Sequence, residues 1–192
     1  MSSPPVDTIK RMSRPPRARE SVLDAFEAIL IDDGERAATM DATARAAGVS
    51  KGGLLYHFGS KDALETGLLE RLGTLVDEDI AAITSAAEGA VAYFLRSSVM
   101  HNDPLDRAII ATSRLAQGGH ASASAALREI RIKWEDAIRP HARDQASLDL
   151  VMLVSDGLYF NNALDGGAIP GPVPTGDDLE ALIALVLRAA AP

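Results

Sequence analysis

The sequence predicts an all-α protein, a small three-helix unit carrying a helix-turn-helix followed by a larger helical domain, with about nine helices in total. Apolar residues recur at helical spacing in stretches rich in Ala, Leu, Arg and Glu, all good helix formers. No alternating run of β-branched residues is long enough to make a strand. Gly and Ser cut the N-terminal third into short pieces, as a compact helical motif requires.

Residues 1–16, MSSPPVDTIKRMSRPP, hold four prolines and three serines without a helical period and are expected to form a flexible basic tail. Over residues 17–31, Val22, Phe26, Ile29 and Leu30 make one stripe, and Asp32-Asp33-Gly34 ends the helix with a left-handed glycine cap. A second helix is expected over residues 40–47 with Thr39 as its N-cap, and Gly48-Val49 supply the turn. Ser50 caps a third helix reaching Phe58, and Ser60 caps a long fourth one ending near Thr84. Further helices are expected near residues 89–100, 106–117, 121–139, 145–165 and 176–190, with the breaker IPGPVPTG before the last.

The chemistry concentrates in residues 39–58, TMDATARAAGVSKGGLLYHF. Met40, Ala44, Ala47, Val49, Leu54 and Phe58 can face inward, which leaves Ser50, Lys51, Gly52, Gly53, Tyr56 and His57 outward on the third helix. Two glycines weaken so short a helix by about 1 kcal/mol each relative to alanine. They make sense where another surface must approach the backbone, and the wall of a DNA major groove is such a surface. Lys51 offers a mobile cation for a phosphate or a guanine edge, and Tyr56 and His57 offer donors for phosphate oxygens.

Residues 17–77 closely resemble the N-terminal domain of the TetR family of bacterial repressors, most specifically in the run GVSKGGLLYHFGSKDAL, residues 48–64. The resemblance covers about a third of the chain and implies a helix-turn-helix DNA-binding domain, with an effector-binding and dimerisation domain over residues 78–192. It implies a homodimer on a near-palindromic double-stranded DNA operator, released when a small molecule occupies the C-terminal domain. By the family pattern Thr39, Arg45 and Lys61 touch phosphate, while Ser50, Lys51, Gly52, Gly53, Tyr56 and His57 form the recognition surface. Two departures stand out: Leu55 occupies a position often aromatic, so that Tyr56 and His57 are alternatives for the backbone contact, and Thr43 occupies one often Ile.

The net charge of −8 does not oppose this, because it is unevenly placed: residues 1–61 sum to +1 and residues 62–192 to −9. Phosphate neutralisation depends on the local face and not on the whole-chain total. The absence of cysteine excludes disulfides and thiolate chemistry, and no apolar run approaches the length of a membrane span, so no membrane partner is expected. The four histidines show no metal-ligand spacing, and there is no nucleophile elbow, P-loop or dinucleotide loop; neither enzyme activity nor a cofactor or metal is expected. A helical module that binds another protein is the alternative reading.

A reader of two half-sites needs a partner subunit. Leu179, Leu182, Ile183 and Val186 on the last helix and Leu148, Val151 and Met152 on the one before it are the expected interface. The opposite side of that penultimate helix, with Leu150, Leu153, Val154 and Gly157, is apolar too. The chain has only eight aromatic residues, so their placement is informative. Tyr93, Phe94, Met100, Trp134, Met152, Tyr159 and Phe160 fall between the fifth and eighth helices and suggest a pocket for an apolar or aromatic effector, with Asp156 favouring a cationic one. Gly67 and Gly73 interrupt the long fourth helix, either as weak points or as sites of close packing.

Overall fold

A computed structural model of the chain describes residues 15–99, 103–163 and 171–190. Among the described residues there are nine α-helices, one 3-10 turn and no strand. They are α1 (Pro15–Asp32), α2 (Met40–Ala46), α3 (Lys51–His57), α4 (Lys61–Ser85), α5 (Ala90–Ser97), α6 (Pro104–Gln117), α7 (Ala121–Ile138), α8 (Gln145–Ala163) and α9 (Gly176–Ala190), with the 3-10 turn Arg139–His141 between α7 and α8. The all-helical reading is borne out. Most of the tail lies outside the described residues, as do Met100 and the first two residues of the breaker before α9. No described helix is long and apolar enough to cross a membrane.

The chain divides into two compact units, Met1–Gly67 and Leu68–Pro192. In the first, Val22, Leu23, Phe26 and Leu30 of α1 are buried, as are Ala44, Leu54 and Phe58 of the motif. Burying each of the larger side chains contributes roughly 1.5–3 kcal/mol. Helix α1 stops because Asp33 and Gly34 both donate their backbone N–H to the Ile29 carbonyl, with Gly34 at φ +82°. Thr43 is fully buried on α2, and its hydroxyl donates to the Thr39 carbonyl at 2.9 Å, so a polar group stands there without an unmet hydrogen bond.

Gly67 is a packing position. A Cβ built on it would lie 2.7 Å from Phe58 Cε1 and 3.3 Å from Leu23 Cδ2. The ring of Phe58 therefore lies against α4 where a side chain would be. At Gly73 a Cβ would meet nothing, so close packing is the reading for the first glycine only.

In the second unit α4, α5, α7, α8 and α9 surround a core that includes Ile83, Leu95, Ile138, Val151 and Ile183, and Leu72, Val76, Ala108 and Ile130 make a smaller core between α4, α6 and α7. Helix α6 begins two residues before its expected start because Asp103 caps it and Pro104 takes its first position, where a missing N–H costs nothing. Helix α5 ends earlier than expected: the hydroxyls of Ser97 and Ser98 both fold back to the Phe94 carbonyl, at 3.0 and 2.9 Å.

The expected dimer contacts on α8 and α9 must be corrected. Leu148, Val151, Met152, Leu179, Ile183 and Val186 are buried in the unit's own core, and Leu182 is half-buried against it, so none presents a free face to a partner. Leu150, Leu153 and Phe160 of α8 and Leu185 of α9 are the large apolar side chains that these two helices leave exposed.

Candidate nucleic-acid interface

The motif is assembled by capping bonds that its own residues supply. Thr39 Oγ1 accepts the N–H of Ala42 at 3.2 Å, and Ser50 Oγ accepts that of Gly53 at 3.1 Å. Each replaces a helical acceptor that a first turn lacks, and is worth about 1 kcal/mol. Gly48 takes φ +66° in the turn, which an L side chain adopts only with strain. The Val49 N–H then closes on the Ala44 carbonyl at 3.0 Å, and Leu54 anchors α3 into the core. In both caps the hydroxyl is used as acceptor only, so its proton is free to be donated outward.

The outward face of α3 is polar and open. Ser50, Lys51 and Gly52 are exposed, and Gly53 and His57 are half-buried. Tyr56 is 82% exposed, with His57 edge-on to its ring at a centroid distance of 5.1 Å. Tyr56 is therefore the presented ring and His57 its support. A Cβ on Gly52 would meet nothing within 4 Å, so no contact inside the chain requires glycine there. On Gly53 a Cβ would come within 3.2 Å of Ser50 Oγ, so that glycine also protects the cap. Leu55, not expected among the site residues, is 44% exposed on the same short helix.

Two of the expected phosphate contacts stand beside acids that sequence reading passed over. Lys51 Nζ lies 3.0 Å from the Asp41 carboxylate, with both side chains about two-thirds exposed. Lys61 Nζ is paired with the Glu35 carboxylate and also donates to the Glu35 carbonyl at 3.4 Å. Both acids come from the preceding segment, so only the folded motif brings them to the lysines. Thr39 and Arg45 are exposed.

The second unit holds a cavity of about 340 Å³. Phe94, Trp134, Met152, Asp156 and Tyr159 line it, as the sequence suggests. Tyr93 packs against the core instead, Phe160 is 61% exposed on α8, and Met100 lies outside the described residues. The sequence reading missed the polar half of the wall: Asp79, Asp103 and Asp106 together with Arg131. Trp134 Nε1 donates to Asp79 at 2.9 Å, and the Tyr159 hydroxyl donates to Asp106 at 2.7 Å. Burial pushes the Tyr159 hydroxyl well above its ordinary pKa, and the adjacent Asp106 adds to the effect, so it stays a donor. Asp156 is no free acid, because Arg131 Nη1 donates to both its oxygens, at 2.5 and 2.7 Å.

Comparison with known proteins agrees with this arrangement. Residues 22–65 match the model of the bacterial regulatory proteins of the tetR family. No curated protein sequence matches the chain. Among solved structures, GusR of Salmonella enterica superposes with a TM-score of 0.63 at 15% identity, over 92% of this chain and 97% of that one. The fatty acid degradation regulator FadR of Bacillus halodurans gives 0.60 at 17% identity, over 92% and 95%. NalD of Pseudomonas aeruginosa, the secondary repressor of the MexAB-OprM multidrug efflux pump, gives 0.52 at 17%, over 93% and 98%. At such identities these structures share the fold and nothing finer, whereas the family model covers the motif itself. Residues 22–65 are therefore similar to the N-terminal domain of the bacterial regulatory proteins of the tetR family, and the chain as a whole shares the fold of these solved structures.

Proposed function

We propose that the protein is a cytoplasmic homodimeric repressor that holds a near-palindromic double-stranded operator and releases it when a small apolar or aromatic molecule fills the cavity of the second unit. One observation carries the DNA half of this reading. The fold leaves the outward face of α3 open: a Cβ on Gly52 would meet nothing, Tyr56 is nearly bare, and Lys51 is exposed beside the equally exposed Asp41. Ser50 to Gly53 meet base edges in the major groove, while Tyr56 with His57, and Thr39, Arg45 and Lys61, lie along the phosphates.

The homodimer rests on the apolar stripe of Leu150, Leu153 and Phe160 with Leu185. Large apolar side chains lined up along a helix are costly in water, and a second copy covers them while supplying the second half-site. The effector reading rests on a cavity of ligand size walled by Phe94, Trp134, Met152 and Tyr159.

The test is a gel shift on the DNA upstream of the chain's own gene, run against unrelated duplex at several salt concentrations. A specific shift is expected, with log affinity falling linearly with log salt. No shift, or a salt-insensitive one, would favour the alternative of a module that binds protein.

The Asp41–Lys51 pair supplies a sharper check. Lys51→Ala is expected to weaken operator binding by about 1–3 kcal/mol while the dimer and the fold persist. Asp41→Asn removes an exposed partner of the kind worth about 0.2–1 kcal/mol and should tighten binding severalfold at low salt. Fluorescence anisotropy on a labelled operator reads both, and unchanged affinity in Lys51→Ala would contradict the recognition-helix assignment.

A further inference from the structure

The three aspartates on one side of the cavity accept hydrogen bonds from neutral donors. Asp79 accepts from the Trp134 indole, Asp106 from the Tyr159 hydroxyl, and Asp103 from the Leu105 backbone N–H at 2.6 Å. Neutral donors orient a carboxylate without cancelling its charge. Arg131 is the one cation among the described lining residues, and it is already committed: Asp156 takes Nη1, and Glu135 takes Nε at 3.0 Å. Four aspartates against one arginine leave the lining strongly negative, beside the apolar faces of Phe94 and Trp134. Burial raises the pKa of Asp79 despite its bond from Trp134, and Asp103 pushes it the same way.

We infer that the effector is an organic cation, an aromatic or apolar body bearing one amine or ammonium group, which sets its charge between Asp79 and Asp106 and its body against Trp134 and Phe94. The inference rests on the reading of this cavity as the effector site. A buried cation needs both a carboxylate and a face to lie on; aspartates supply the first and the aromatic rings the second. An anion would meet a negative wall and an arginine already paired twice. Asp156, singled out in the sequence for this role, is replaced in it by Asp79 and Asp106.

Three probes of one shape separate the alternatives: 2-naphthylmethylamine, 2-naphthylmethanol and 2-naphthoate, titrated calorimetrically into the full chain near neutral pH. The amine should bind at least about tenfold more tightly than the alcohol, and the carboxylate more weakly than either. Asp106→Asn keeps an acceptor for Tyr159 and should lower amine affinity at least about fivefold while leaving the alcohol unchanged. If that variant melts early, Asp79→Asn serves in its place, and the ranking on the unaltered protein stands by itself. Alcohol or carboxylate binding as tightly as the amine overturns the inference. Should the carboxylate bind best and also release the operator, the effector site stands and only its charge class falls. Should none bind, with the fluorescence of Trp134 (the chain's single tryptophan) unmoved, both fall.

Discussion

Leu153→Glu is expected to convert the protein to a monomer and to lower operator affinity by two orders of magnitude or more. Leu153 is 67% exposed on α8, in register with Leu150 and Phe160. Covering such a side chain with a partner stabilises association by about 1.5–3 kcal/mol, and a symmetric interface counts it twice. A glutamate there loses that contribution and faces either apolar surface or its own copy across the two-fold axis, and burying an unpaired charge costs more still. Because the side chain makes no core contact in its own subunit, far-UV circular dichroism and the melting of the monomer should change little. Sedimentation velocity reads the assembly and anisotropy reads the operator. A dimer that persists would move the interface elsewhere, and Leu148→Ala, by contrast, should damage the fold because Leu148 is 1% exposed within the subunit.

That contrast marks how far the sequence could be read. The helix-turn-helix was legible because its determinants are local: Thr39 and Ser50 cap helices that begin one residue later, and Gly48 sits in the turn it makes possible. Helix periodicity showed equally well that α8 is apolar on two sides. It could not say which side its own domain would take, since that depends on where α5 and α9 pack, and the interior face was assigned to the partner. The same limit governs the cavity. Its aromatic residues stood out in a chain with so few, but the acids that partner them come from 53 and 55 residues away in sequence, as the bonds from Tyr159 to Asp106 and from Trp134 to Asp79 show. Nothing local to Tyr159 or Trp134 announces those carboxylates. Nor does anything local to Lys51 announce Asp41, which reaches it from α2.

Two glycines of the first unit should answer oppositely to the same substitution. Gly67→Ala places a methyl 2.7 Å from a ring carbon of Phe58, whose own side chain is buried at 3% exposure. Overpacking of this kind costs about 1–3 kcal/mol, and Gly67→Leu should cost more and leave the unit poorly folded. Gly52→Ala meets nothing within the chain and exchanges a poor helix former for the best one, so it should stabilise the fold by up to about 1 kcal/mol. Its cost is expected at the DNA: where backbone approaches the groove wall, a methyl stands the helix off, and Gly52→Glu adds a charge that the phosphates repel. Operator affinity should fall several-fold for the alanine and beyond detection for the glutamate, with thermal stability intact in both. Thermal melts and anisotropy titrations on the four single variants separate packing from recognition. Normal operator binding in Gly52→Glu would mean that α3 does not enter the groove by this face, and would return the open glycine to an unexplained cost in helix stability.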